Sequence, residues 1–124
     1  MRETISSKRV PSSVSPVSLA TRGGGLIFVG GQMPRDFVSG KIVSGALQQA
    51  RVSLGHCIAI LEDAGSSAEK VLRTDVFLTD LSAKDAVNEV FKEVFGDSPP
   101  ARNLVEVSEI GENAIVEIGL VALS

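Results

Sequence analysis

An α+β domain, with two helices laid on one face of a mixed sheet, is the fold class this sequence predicts. Two apolar stripes recur at three- and four-residue steps, Leu47, Ala50, Leu54, Cys57, Ile58, Leu61 and then Val87, Val90, Phe91, Val94, Phe95. That is the spacing of one buried helix face. Around them lie short runs of strand length, one of them alternating from Val71 to Thr79. The resulting order, β-β-(β)-α-β-α-β-β, is that of a two-layer domain whose helices cover one sheet face and leave the other bare.

The elements follow in turn. Residues 1–15, rich in Ser, Lys and Arg, read as a loose arm, with 1–12 as the arm proper. Val17 to Thr21 is a short strand. Arg22-Gly23-Gly24-Gly25 is a turn, and Leu26 to Val29 returns from it, so the three form a β-hairpin. Gly30-Gly31 ends that strand, Pro34 to Gly40 is a loop, and Lys41 to Val43 is a candidate third strand. The first helix fits Gly45 to Ala64, stopped by Gly65. Ser66-Ser67-Ala68-Glu69 has the form of a capping box for a short helical turn. In the alternating strand Leu72, Val76 and Leu78 share one face, and Arg73, Asp75 and Phe77 the other. Ser82 with Asp85 opens the second helix, Gly96 closes it, and Pro99-Pro100 forbids its continuation. Arg102 to Val107 and Ala114 to Leu123 are the last two strands, joined by a loop through Gly111-Glu112-Asn113.

Bulk properties narrow the function. A chain of 124 residues has room for one domain, here taken as 1–124. It buries roughly two-thirds of the surface its unfolded form exposes, enough for a core without staples. The hydrophobic share of 44% and a mean hydropathy of +0.24 exceed the needs of a soluble monomer. No apolar run approaches the roughly 18 residues that span a bilayer, so the surplus points to a subunit interface rather than a membrane. A net charge of −3 and a pI near 5.1 disfavour a nucleic-acid partner, and the absence of Trp and Tyr removes most stacking platforms. The one cysteine, Cys57, forbids an intrachain disulfide, and the polar start of the chain lacks a signal peptide's apolar stretch. A cytoplasmic location is the expectation.

Two side chains stand out chemically. Glu117 interrupts the otherwise apolar run Ala114 to Leu123. A carboxylate there either points to solvent on the bare face, pairs with Arg102 or Arg73, or edges a pocket where an altered pKa is useful. Arg102 follows Pro99-Pro100-Ala101 at the start of its strand, where the prolines aim it. It is either an ordinary surface arginine or a grip for a carboxylate, which guanidinium holds through two parallel hydrogen bonds. His56 lies opposite the helix stripe and is expected in solvent, while Cys57 lies on the stripe and is expected to pack. Without a second histidine, neither a zinc site nor a Cys–His nucleophile can be assembled, and no metal is expected. Gly30 and Gly31 match no phosphate-binding fingerprint but can allow close approach of a ligand to the backbone.

These residues sit in a set of short stretches that resembles the YjgF/RidA (reactive intermediate deaminase) family, sometimes labelled endoribonuclease L-PSP. The stretches are Val14-Ser15-Pro16, Leu26 to Gln32, Ala64-Gly65-Ser66-Ser67, Val76 to Leu81, Ala86 to Phe91, Pro99 to Arg102 and Val116-Glu117-Ile118. They run in order from about Ser13 to Leu123. The resemblance implies a chorismate-mutase-like fold and a homotrimer with clefts between subunits. It also implies cofactor-free hydrolysis of enamines or imines, of the 2-aminoacrylate or 2-iminobutanoate type, to 2-keto acids and ammonia. It assigns substrate gripping to Arg102 and acid/base work to Glu117, and sets Asn88 and Phe91 near the cleft with Gly30 and Gly31. Three positions where the family usually carries tyrosine, serine, and cysteine or threonine hold Val17, Gly30 and Leu104 here. The cleft is therefore expected to be roomier and more apolar, for a larger or more apolar substrate than 2-aminoacrylate.

The same three departures suit an alternative, a non-catalytic trimer that binds a metabolite or regulates a partner. An endoribonuclease or translation inhibitor is a third reading, disfavoured by the acidic pI and the lone His56.

Overall fold

The computed structural model describes all 124 residues. Six strands form one sheet in the order β1-β2-β3-β6-β4-β5: β1 (Glu3–Ile5), β2 (Ala20–Gly23), β3 (Leu26–Gln32), β4 (Val71–Leu78), β5 (Ala101–Glu106) and β6 (Val116–Leu123). All neighbours are antiparallel except β4 and β5. Helices α1 (Ala46–Asp63) and α2 (Lys84–Phe95) pack on one face. The core between the layers holds Ala50, Leu54, Cys57, Ile60 and Leu61 from α1, Val87, Val90 and Phe91 from α2, and Val116, Ile118, Leu120 and Ala122 from β6. The α+β architecture expected from the sequence is the one observed. No helix is long and apolar enough to cross a membrane.

The hairpin forms, but its first strand is Ala20–Gly23 rather than Val17 to Thr21, and Arg22 and Gly23 pair within it instead of turning. Gly24 and Gly25 both hold positive φ, 60° and 79°, between the paired Gly23 and Leu26. Two left-handed residues in a two-residue loop make the turn whose twist matches its strands, and glycine adopts them without strain.

Four further expectations are corrected. The arm 1–12 is not loose. Glu3–Ile5 adds an edge strand to β2, and Ile5 and Val10 are buried at 6% and 3% exposure. The two apolar side chains were hidden by the polar composition around them. Arg9 then ties the segment to the end of α1 through Asp63, Glu62 and the Ala59 carbonyl. The candidate strand Lys41–Val43 is reduced to a single bridge, Arg35 to Ile42, because Asp36 closes a local turn on the Val38 and Ser39 N–H groups. Leu72 is nearly half exposed and Val71 takes its place inside, since a bulge between Val71 and Arg73 shifts the register against β6. The cap before α2 is Asp80, whose carboxylate accepts from the Ser82 N–H within a preceding single turn.

A second bulge shapes the site. Val29 pairs with Leu120 but Gln32 pairs with Ile118, so Gly30-Gly31 carry one residue too many for β6. The ladder is interrupted there, and α1 satisfies the freed groups. Ser53 donates to the Gln32 carbonyl at 2.6 Å and accepts from the Ile118 N–H at 2.9 Å. Cys57 donates to the Ile118 carbonyl at 3.2 Å. One turn earlier, Gln49 accepts from Ile115 and Val116 and donates to the Val43 carbonyl. Gln49, Ser53 and Cys57 are spaced by four residues, so one helix edge is polar yet buried. Gly119 lies under the bulge, where a Cβ would stand 3.1 Å from the Val29 carbonyl oxygen and 3.2 Å from the Gly31 nitrogen.

Candidate functional site

The pleat sorts the candidate residues. Thr74, Val76 and Leu78 of β4 are buried under the helices. In the parallel register Arg102 pairs with Thr74 and Leu104 with Val76, so both point to the helix side at the β5 edge. Ile118 pairs with Val76 on that side, and Glu117, beside Phe77, points to the bare face. A single chain therefore holds Arg102 and Glu117 on opposite faces of the sheet, separated by β4.

Around Arg102 the side chains expected near the cleft do assemble. Its Nη1 donates to Asn88 Oδ1 at 2.8 Å, and its guanidinium carbon stands 5.0 Å from the Phe91 ring centroid. Asn88 and Phe91 are three apart on α2 and so share the face turned to β5. Phe91 is itself held edge-on by Phe95, centroids 5.4 Å apart. The guanidinium is oriented by a hydrogen bond and a cation–π contact, while most of its N–H donors stay available. Leu104 packs partly buried against the core beside it.

Glu117 is treated differently. Neither arginine weighed as its partner binds it, since Arg73 pairs with Asp75 at 3.3 Å and Arg102 with Asn88. The carboxyl is half-buried without an opposite charge, and burial pushes its pKa above the ordinary carboxylate value. The space it occupies exists because position 31 is glycine: a Cβ there would lie 3.1 Å from Glu117 Cδ and 3.3 Å from Oε2. The close approach expected at Gly31 is thus filled by Glu117's own side chain. Gly30 is less crowded, its nearest atom being the Leu19 carbonyl oxygen at 3.5 Å.

Val17, Gly30 and Gly31 line an open cleft of about 680 Å³, walled on one side by Pro11 to Leu19. Four of its 16 lining residues are hydrophobic. Arg102, Asn88, Phe91 and Leu104 are not part of it. His56 also departs from expectation. Instead of standing in solvent it is partly buried, and its Nε2 donates to the Arg35 carbonyl at 2.7 Å, because the loop after β3 folds over that flank of α1. Cys57 is fully buried, and burial pushes its thiol pKa far up, which leaves it a packing residue. No three His, Cys, Asp or Glu side chains converge anywhere in the chain.

A family model described as Endoribonuclease L-PSP matches residues 7–124. The chain belongs to this family, the YjgF/RidA family. Among its relatives, a RutC family protein of Pyrococcus horikoshii is 39% identical over 123 residues, covering 98% of each chain. The human 2-iminobutanoate/2-iminopropanoate deaminase is 32% identical over 124 residues, covering 99% of this chain and 90% of that one. Among solved structures, E. coli TdcF with bound serine superposes with a TM-score of 0.94 at 30% identity, covering 98% of each chain. YjgF/RidA membership extends over the cleft wall, the Gly30-Gly31 bulge, Arg102 and Glu117 alike. Arg35, His56 and Glu112, which also line the cleft, escaped the reading of the sequence. Their one signal was the pair of charges set in the two loops that flank Gly30-Gly31 and β6.

Proposed function

We propose that this protein hydrolyses small 2-imino carboxylates and their enamine tautomers to 2-keto acids and ammonia. The observation that carries the reading is Glu117: a half-buried carboxyl with a raised pKa and no partner, on a strand that is otherwise apolar. A human relative named as a 2-iminobutanoate/2-iminopropanoate deaminase supports it.

The working unit in this proposal is a homotrimer. Arg102 and Glu117 cannot meet within one chain, so the β5 edge of one copy must face the bare sheet face of the next. Phe28, Val105 and Leu123 on that face are each 46–48% exposed, which is apolar area for a neighbouring copy to cover. In the shared cleft Arg102 holds the substrate carboxylate by two hydrogen bonds while Phe91 and Asn88 fix its plane. Protonated Glu117 delivers its proton to the enamine carbon, converting C=C–N to C–C=N. As carboxylate it then takes a proton from water as the water oxygen bonds to the imine carbon. Glu117 passes that proton to the nitrogen, the C–N bond breaks to release ammonia, and the hydroxyl proton returns to the Glu117 carboxylate as the C=O bond forms. Water is the only co-reactant and no electrons are exchanged. A raised pKa suits both halves of this cycle near neutral pH.

The test is ammonia release above the spontaneous rate from 2-imino acids generated in place by an amino-acid oxidase. Acceleration with 2-iminobutanoate is expected. Val17, Gly30 and Leu104, which offer no side-chain hydrogen bond, favour the metabolite-binding alternative. Binding of 2-oxobutanoate without any acceleration would establish that alternative instead.

A further inference from the structure

Glu117 is held from the far side of its own sheet. The peptide that joins it to Ile118 presents its N–H to α1, where the Ser53 hydroxyl accepts it at 2.9 Å. The same hydroxyl donates to the Gln32 carbonyl at 2.6 Å. Gln32 and Ile118 are partners across β3 and β6 at the end of the Gly30-Gly31 bulge, so one hydroxyl joins the two strands there. The neighbours of Ser53 on α1 do less. Gln49 bonds the Ile115 and Val116 N–H groups and the Val43 carbonyl, and Cys57 bonds the Ile118 carbonyl. Neither bonds to β3.

On the opposite face the bulge has little slack. Gly119 is the next residue of β6 on the face of Glu117. A Cβ on it would stand 3.1 Å from the Val29 carbonyl oxygen and 3.2 Å from the Gly31 nitrogen. A Cβ on Gly31 would stand 3.1 Å from Glu117 Cδ. The bulge thus passes close over β6 beside the carboxyl, while its end is tied by Ser53 from the helix side.

The tie is dry. Ser53 and Ile118 are fully buried and Gln32 nearly so. Without the hydroxyl, the Ile118 N–H and the Gln32 carbonyl lose a partner where no solvent replaces it. The strands recover a bond by drawing together. That movement carries Gly31 into the space of the Glu117 carboxyl and displaces it towards water.

We propose that Ser53 is a positioning residue for Glu117: by joining β3 to β6 at the bulge, it sets the space in which the carboxyl is held beside Gly31. That this positioning serves turnover rests on the deaminase reading above.

The experiment follows Glu117 itself, by the pH titration of its carboxyl NMR signal, assigned by its loss in Glu117→Gln. It is run alongside kcat and KM for 2-iminobutanoate. In Ser53→Ala the carboxyl is expected to titrate at lower pH than in the wild type, because burial is what raises its pKa and a displaced group regains water. A fall in kcat of about tenfold, with KM little changed, is expected with it. Ser53→Cys keeps a weaker donor and acceptor, and serves where the alanine variant does not fold. It should move both readouts in the same direction by less. Cys57→Ala removes a bond to the same residue from the same helix without releasing β3. It should melt lower and keep the wild-type titration and kcat. A titration unmoved in the Ser53 variants overturns the positioning role, as does an equal shift in Cys57→Ala. A moved titration with wild-type kcat overturns its part in turnover. A wild type inactive on 2-iminobutanoate overturns the deaminase reading alone, because the titration needs no turnover.

Discussion

Arg102 and Glu117 are both charged side chains on strands of one sheet, and the fold handles them in opposite ways. Arg102 is given partners: Asn88 at 2.8 Å and the face of Phe91 at 5.0 Å. Those contacts orient a group whose charge is never in question. Glu117 is given room and nothing else, a glycine bulge in front of it and no cation beside it. Orientation suits a group that binds, and a withheld partner suits a group that must gain and lose a proton. Their placement on opposite faces, with β4 between them, keeps them apart within one chain.

The largest expected effect is on turnover. Glu117→Gln keeps the shape and removes the titrating group, and should lower kcat for 2-iminobutanoate by roughly 100- to 10,000-fold. Binding of 2-oxobutanoate, read by thermal shift, should survive. Full activity in a folded variant would make Glu117 a structural charge. Arg102→Ala should instead act on binding, weakening 2-oxobutanoate by roughly 10- to 150-fold, the worth of a charged hydrogen bond at about 1.5–3 kcal/mol. Unchanged affinity would remove Arg102 from the site.

These two variants together test the sharing of one site. Co-refolded at equal amounts, they should recover about a quarter of wild-type kcat/KM, because random trimers then pair an intact Arg102 with an intact Glu117 at that fraction of interfaces. A kcat/KM that does not rise on mixing, with mass measurements showing hybrid trimers, would place the site within one chain.

Gly31→Ala comes next. Its Cβ would crowd Glu117 Cδ at 3.1 Å, so kcat should fall by about tenfold as the carboxyl is displaced, with KM little changed. Wild-type kcat would show that Glu117 does not need that position.

The smallest effect is on stability against pH. Burial raises Glu117's pKa in the folded state, so the folded protein holds this proton more tightly than the unfolded chain. The protonated group's contribution is complete below the ordinary carboxylate pKa and is lost as pH rises through the folded value. Glu117→Gln should therefore melt slightly higher than wild type at pH 7, with the gap closing at pH 4. A variant less stable at pH 7 would show that Glu117 has an ion-pair partner in the assembled protein.

Much of this architecture was legible in the residues. The stripes Leu54-Cys57-Leu61 and Val87-Val90-Phe91 are buried as their periods require, because a helix repeats every 3.6 residues whatever surrounds it. Arg102 behind two prolines and Glu117 in an apolar strand stood out as costly choices that composition alone does not explain. Gln49 and Ser53 did not, since a polar residue on a helix reads as solvent-facing until the folded sheet brings unpaired backbone groups of β3 and β6 to it. Ile5 and Val10 were masked in the same way by polar neighbours in the chain.

Local spacing could specify helices, the hairpin turn and the alternation of each strand, because these depend on contacts within a few residues. It could not specify which face of the shared sheet Leu72 or Glu117 would join. That parity depends on register between strands distant in sequence, and each bulged residue, Leu72 in β4 or one of Gly30-Gly31 in β3, reverses it. Only the folded sheet set Arg102 and Glu117 on opposite faces, and only the loops closing over α1 brought His56, Arg35 and Glu112 to one end of the cleft.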